Sequence, residues 1–221
     1  MSDDYYDVSL DMEKSDKELK AFVLERRQRK RIFQRLSSGF YFHKSRTIRF
    51  LTLTSSPRSG PIRDDWKEFV KRVRRSCPID FIEHLSGAPL MSFKSMLEPV
   101  RFEYLAVFTD EGEGVVHCVY VGDYLPVEWI RDLWSDIHQA YGVNIRFVRS
   151  CYNPGGLAGY LITQYVGKQN AIRHYQMSKG WLPSGYADAW TKIKRDYKKD
   201  DITKRLVRWH KWLDKFHQKQ L

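Results

Sequence analysis

The stretch RFEYLAVFTDEGEGVVHCVYV, residues 101–121, decides the fold. Its two ends, Arg101 to Thr109 and Val115 to Val121, are rich in aromatic, β-branched and other apolar residues. Between them Asp110-Glu111-Gly112-Glu113-Gly114 is a turn-rich connector. That pattern predicts two antiparallel strands joined as a β-hairpin with a longer loop. Strand alternation places Val115, His117, Val119 and Val121 on one face of the second strand, and Val116, Cys118 and Tyr120 on the other.

Upstream, Thr47-Ile48-Arg49-Phe50-Leu51-Thr52-Leu53-Thr54 reads as a strand closed by Ser55-Ser56-Pro57. From Pro61 to Arg75 a helix is predicted, because Trp66, Phe69, Val70 and Val73 recur at helical spacing. Downstream, Pro126 to Tyr141 carries a helical stripe of Ile130, Leu133, Trp134, Ile137 and Tyr141, with Pro126 suited to the first turn. A strand follows at Val143 to Val148. Strand, helix, strand, strand, helix, strand is the split βαβ, ferredoxin-like order. It predicts an α+β fold: an antiparallel sheet of four to five strands, with two helices on one face. The other face is left for a ligand or for a helix resuming at Leu157 to Lys168, after the break at Pro154-Gly155-Gly156.

Extensions flank this core, expected at residues 45–170. Residues 1–15 read as disordered and 16–44 as a basic helical element. The helix is predicted from Asp16 to Leu36, with a stop at Ser37-Ser38-Gly39. Residues 171–221 read as a helical extension. It holds Trp181 and Trp190 and ends in an amphipathic helix whose stripe is Leu206, Trp209, Leu213 and Phe216.

The chain carries 38 Lys and Arg against 27 Asp and Glu, a formal net charge of +11. Such a balance favours a polyanionic partner, most commonly nucleic acid. Arg26, Arg27, Arg29, Lys30 and Arg31 concentrate part of it on the N-terminal helix. They are either a solvated face or a set of phosphate contacts. No apolar run reaches the length of a membrane helix, and the acidic, polar N-terminus is no signal peptide. Cys77, Cys118 and Cys151 follow neither a zinc spacing nor a disulfide framework, which fits a reducing, cytoplasmic setting.

Two groups of residues point to phosphoryl chemistry. His117 sits within a strand beside an acidic turn, where Asp110 and Glu111 would add oxygen ligands. An imidazole with carboxylates holds a divalent ion such as Mn²⁺ or Mg²⁺, which polarises a phosphoryl oxygen. A packed core histidine and a solvated loop tip are the competing readings. On the helix at 157–168, Tyr165 and Lys168 are three apart and share a face. A phenol attacks phosphorus best as phenolate, and a neighbouring ammonium or metal makes that form more accessible. Tyr160 lies five positions before Tyr165, so on a regular helix the two point in different directions.

Three segments in order resemble the HUH endonuclease superfamily, in particular rolling-circle replication initiators of plasmids and small viruses. Phe50-Leu51-Thr52-Leu53-Thr54 is similar to the first motif, Gly114 to Val121 to the second, and Tyr165-Val166-Gly167-Lys168 to the third. The second motif departs from the family pattern. It normally holds two histidines, and only His117 is present, with Val115 or Val119 in the other place. The resemblance implies a metal-dependent protein that nicks and rejoins single-stranded or hairpin origin DNA in the host cytoplasm. Its tyrosine would form a 5′-phosphotyrosyl link and leave a 3′-hydroxyl for a polymerase, with a helicase supplied by the host. In that scheme Tyr165 is the nucleophile and Tyr160 the second candidate. Lys168 steadies the phosphate, and His117 with Asp110 or Glu111 holds the ion. A non-catalytic nucleic-acid-binding module, or a transposase or relaxase of the same superfamily, are the alternatives.

Overall fold

A computed structural model of the chain describes residues 27–77, 98–109, 113–148, 157–158, 160–161, 175–182, 189–196, 204, 207–208 and 211. The elements are a helix over residues 27–42 (α1), Ile48–Thr54 (β1), Ile62–Arg75 (α2), Phe102–Thr109 (β2), Val115–Gly122 (β3), Val127–His138 (α3), Val143–Val148 (β4), Tyr175–Met177 (β5) and Ala189–Asp196 (α4). The strands form one sheet in the order β4-β1-β3-β2-β5. Every pairing is antiparallel. β1 and β2 therefore run parallel with β3 between them, and β3 and β4 run parallel with β1 between them. That is the split βαβ arrangement expected from the order of elements, and the fold is α+β.

The hairpin pairs Thr109 with Val115 at its closed end and Phe102 with Gly122 at its open end. Gly122 is obligatory there. Its φ is +149°, and a Cβ would lie 1.7 Å from the Arg101 carbonyl oxygen.

One face of the sheet is covered by α2 and α3. Trp66, Phe69, Val73, Ile130 and Trp134 are buried against Leu51, Leu53, Phe102, Ala106, Val116 and Cys118. Trp66 stacks on Phe69 at 5.4 Å, and Phe69 meets Trp134 edge-on at 5.8 Å. The Trp134 indole N–H donates to the Thr54 carbonyl at 2.9 Å, so this large ring is buried without stranding its donor. α2 carries Asp64 and Asp65 in its first turn and Arg72, Arg74 and Arg75 in its last, both favourable to the helix dipole.

The other face is covered by α1, the helical residues 157–158 and 160–161, Trp181 and α4. Ile32, Phe33, Leu36, Phe40, Leu161, Trp181, Trp190 and Ile193 are buried against Ile48, Leu105, Val107, Val119 and Val121. β5 pairs with the outer edge of β2, Leu105 opposite Met177.

The structure corrects three expectations. α1 does not stop at Ser37-Ser38-Gly39 but runs to residue 42. Gly39 is where the helix backbone meets the Trp181 indole: a Cβ there would sit 2.1 Å from the ring. The glycine marks close packing rather than a terminus. α3 ends at His138, because Gln139 takes a left-handed conformation (φ 52°) and its N–H caps the Ser135 carbonyl at 2.9 Å. The chain then turns away, and Tyr141, expected in the buried stripe, is 72% exposed. Finally, part of 171–221 belongs to the body of the fold, supplying β5, Trp181 and α4. Residues 1–15, the helix start at 16–26 and most of the final amphipathic helix lie outside the described residues. No helix among the described residues is long and apolar enough to cross a membrane.

Candidate functional site

β1 and β3 are adjacent central strands, and their register sets Thr52 opposite His117. Alternation sends both side chains to the face covered by α1, as the hairpin pattern predicts. The Thr52 hydroxyl and His117 Nδ1 are 3.4 Å apart. Phe50, two residues back on β1, lies nearly parallel to the imidazole, with ring centres 5.7 Å apart and planes 14° apart. Tyr160, on the helical residues after β4, presents its ring edge-on to His117 at 5.7 Å and to Phe50 at 6.4 Å. His117 is 3% exposed and Tyr160 is 42% exposed. Sheet and helix thus bring an imidazole and a phenol ring together, the imidazole inside and the phenol at the surface.

Of the residues expected to act, His117 and Tyr160 are together in this cluster. Tyr165, Lys168, Asp110 and Glu111 lie outside the described residues. The sequence ranks Tyr165 ahead of Tyr160; among the described residues, the tyrosine ring against His117 is that of Tyr160. Phe50 and Thr52 belong to the site as well; the sequence shows them only as members of an apolar, threonine-rich strand.

The described residues do not by themselves fit a divalent ion. Among them no group of three or more His, Cys, Asp and Glu side chains converges. The polar side chains on this face near the hairpin's closed end include those of His117, threonines and Asn144, which stands opposite Thr52 on β4. One is the Thr109 hydroxyl, which is buried without a hydrogen-bond partner. Mn²⁺ and Mg²⁺ take carboxylate, carbonyl and water oxygens rather than one imidazole with neutral hydroxyls.

The basic run maps to the start of α1. Arg27 and Arg31, one turn apart, are exposed, whereas Arg29 and Lys30 are half-buried. Arg26 lies outside the described residues. The opposite side of the helix carries Ile32, Phe33 and Leu36 into the core. Arg35 bonds the Tyr175 hydroxyl on β5, which ties this basic helix to the sheet.

A second polar cluster, invisible in the sequence, lies at the far end of β1. Asp65 Oδ2 is 2.6 Å from His138 Nδ1, and His138 Nε2 is 2.8 Å from the Ser55 hydroxyl. With Nδ1–H donating to the carboxylate, Nε2 accepts the serine proton, the sequence of groups that activates a serine nucleophile. An oxyanion needs backbone donors beside that hydroxyl. Here the Ser55 N–H goes to the Gly114 carbonyl at 2.9 Å, and the Ser56 N–H goes to the Ser59 hydroxyl at 2.9 Å. The Ser59 hydroxyl in turn donates to the His138 carbonyl at 2.6 Å. The cluster is a clamp that fastens the loop after β1 to the end of α3 and the start of α2. Its three members come from three distant segments with no characteristic spacing, so no sequence signal announces it.

No protein-family model matches the chain, and no curated protein or solved structure is significantly similar to it.

Proposed function

We propose that the chain is a single-stranded-DNA-nicking and -rejoining protein of the replication-initiator kind. The pairing that carries this reading is His117 with Tyr160: a buried imidazole on a central strand of a ferredoxin-like sheet, against a surface phenol on the helical residues after β4. The net charge of +11 and the exposed arginines of α1 support a polyanionic partner. In the proposed reaction a tyrosine oxygen attacks a backbone phosphorus and the bond from phosphorus to the 3′-oxygen breaks. The 3′-oxygen leaves with a proton, and the 5′-phosphate stays on the tyrosine; rejoining reverses each change. Tyr165 and Tyr160 are the two candidates for this nucleophile. On this reading His117, whose ring centre lies 5.7 Å from that of Tyr160, is the basic group of the site. Mn²⁺ or Mg²⁺ would be held by His117 with Asp110 or Glu111 and would polarise a phosphoryl oxygen.

A second reading has its own support. His117 is almost wholly enclosed, stacked on Phe50, and the described donor set is too poor for an ion. On that reading the protein binds DNA without cutting it.

One experiment separates them. A labelled single-stranded origin oligonucleotide is incubated with the protein, with and without Mn²⁺ or Mg²⁺, and adducts are resolved on a denaturing gel. A covalent adduct is expected, lost in the Tyr160→Phe/Tyr165→Phe double variant and reduced about a hundredfold in His117→Ala. Binding with no adduct in wild type leaves the second reading. An adduct that persists in the double variant refutes the tyrosine chemistry.

A further inference from the structure

At the end of the sheet opposite the hairpin turn, on the α2–α3 face, the sequence leaves large rings in water. Phe147 on β4 is 64% exposed and Tyr124, just before α3, is 60% exposed. Between them stands Arg49. It is directly opposite Phe147 across the β1–β4 ladder, so their side chains share a face. Its guanidinium lies 5.7 Å from the Tyr124 ring centre and 5.9 Å from that of Tyr120. One of its nitrogens donates to the Gly122 carbonyl at 3.2 Å, which fixes the fork in place. The row Phe147, Arg49, Tyr124 is thus a ring, a held cation and a ring.

Charge around the row is one-sided. Arg46, Arg49 and Arg146 make no ion pair with a carboxylate among the described residues, and the nearby Asp123 is taken by Arg101 at 3.1 Å. Among the described residues β4 is an edge strand of the sheet, paired with β1. Its successive residues point to opposite faces. Arg146 therefore stands on the face of the His117–Tyr160 cluster, opposite Phe50, while Phe147 stands on the other. A flexible chain passing over this edge meets a cation on one side and a stacking ring on the next.

We propose that this edge is a binding platform for single-stranded nucleic acid, with bases stacked on Phe147 and Tyr124 and the backbone held by Arg49 and Arg146. The chemistry selects that partner: flat rings beside unpaired guanidinium groups match unstacked bases and their phosphates. A duplex offers the phosphates but hides the base faces. The platform rests on the proposed function in so far as both take single-stranded DNA, but its rings Phe147 and Tyr124 and its Arg49 stand on the face of the sheet opposite His117 and Tyr160.

Fluorescence anisotropy with a labelled thymidine 20-mer tests it on the full chain. The Phe147→Ala/Tyr124→Ala variant is expected to bind at least about tenfold more weakly. Phe147→Tyr, which keeps a ring, is expected to bind like wild type. Arg49→Ala and Arg146→Ala should each lower the slope of log affinity against log salt by about 1. Adduct formation at saturating DNA should be unchanged in the Phe147→Ala/Tyr124→Ala, Phe147→Tyr and Arg49→Ala variants. Affinity of the double variant within twofold of wild type overturns the platform while leaving the nicking proposal intact. A change in the oligomeric mass of that variant without a change in DNA affinity also overturns it, and makes the edge a contact between copies of the chain. If wild type does not bind the 20-mer at all, both proposals fall.

Discussion

The two faces of the sheet are built on the same strands and differ in kind. On the α2–α3 face the core is a run of large rings and branched chains, Trp66, Phe69, Phe102 and Trp134 among them, drawn from residues 51–145. On the α1 face the strands contribute smaller apolar residues together with Thr52, His117 and Thr109, and the cover comes from segments as far apart as residues 32 and 193. The first face is assembled by elements that follow one another in the chain. The second closes only when the N-terminal helix and the C-terminal segment return to it.

That contrast can be broken by experiment, and the largest effect belongs to the first face. Trp134→Ala removes a fully buried indole and its bond to the Thr54 carbonyl. A loss of about 3–5 kcal/mol is expected in urea unfolding. Because α3 anchors the sheet, hydrogen exchange should rise across both faces. Gly39→Ala should cost less, about 1–3 kcal/mol, since the added methyl collides with the Trp181 ring. Its increase in exchange should be confined to α1 and its neighbours on the second face. If Gly39→Ala loosens α2 and α3 equally, the two faces are one cooperative unit and the distinction fails.

The second face should also be the pH-sensitive one. His43, at the end of α1, is buried with Nε2 3.2 Å from the Trp181 carbonyl and Nδ1 without a hydrogen-bond partner. Burial first, and the neighbouring Arg46 guanidinium second, hold its imidazole below the ordinary value. The folded protein therefore keeps His43 neutral under conditions where the unfolded chain protonates it. Its contribution is complete above the unfolded value, near pH 6.5. It is lost progressively as pH falls from there through the lower folded value. Stability measured from pH 7.5 to 5 should fall towards acid, and His43→Gln should flatten the slope. An unchanged slope would remove His43 from the account.

The smallest effect is expected at the rim of the first face. Arg72 bonds Asp136 and Glu68, tying α2 to α3 at the surface. The side chains of Arg72 and Asp136 are well exposed, so Asp136→Asn should cost less than about 1 kcal/mol and vanish in high salt. A larger, salt-resistant loss would mean that helix pairing depends on this ion pair rather than on Phe69 and Trp134.

Hydrophobic periodicity by itself determined β1 to β4, the two helices between them and their order, but not β5. Alternation in residues 115–121 correctly divided β3 between the faces, because period-two and period-3.6 patterns are local consequences of burying one side of an element. What closes the second face is not local. Gly39 reads as a helix stop until Trp181, 142 positions later, is seen to need the space of its missing side chain. The clamp of Asp65, His138 and Ser55, and the approach of Tyr160 to His117, likewise depend on where three or four distant segments end. The sequence determined which residues are able to do chemistry; only the tertiary structure decided which of them meet, because contact between remote side chains is fixed by packing and leaves no spacing behind.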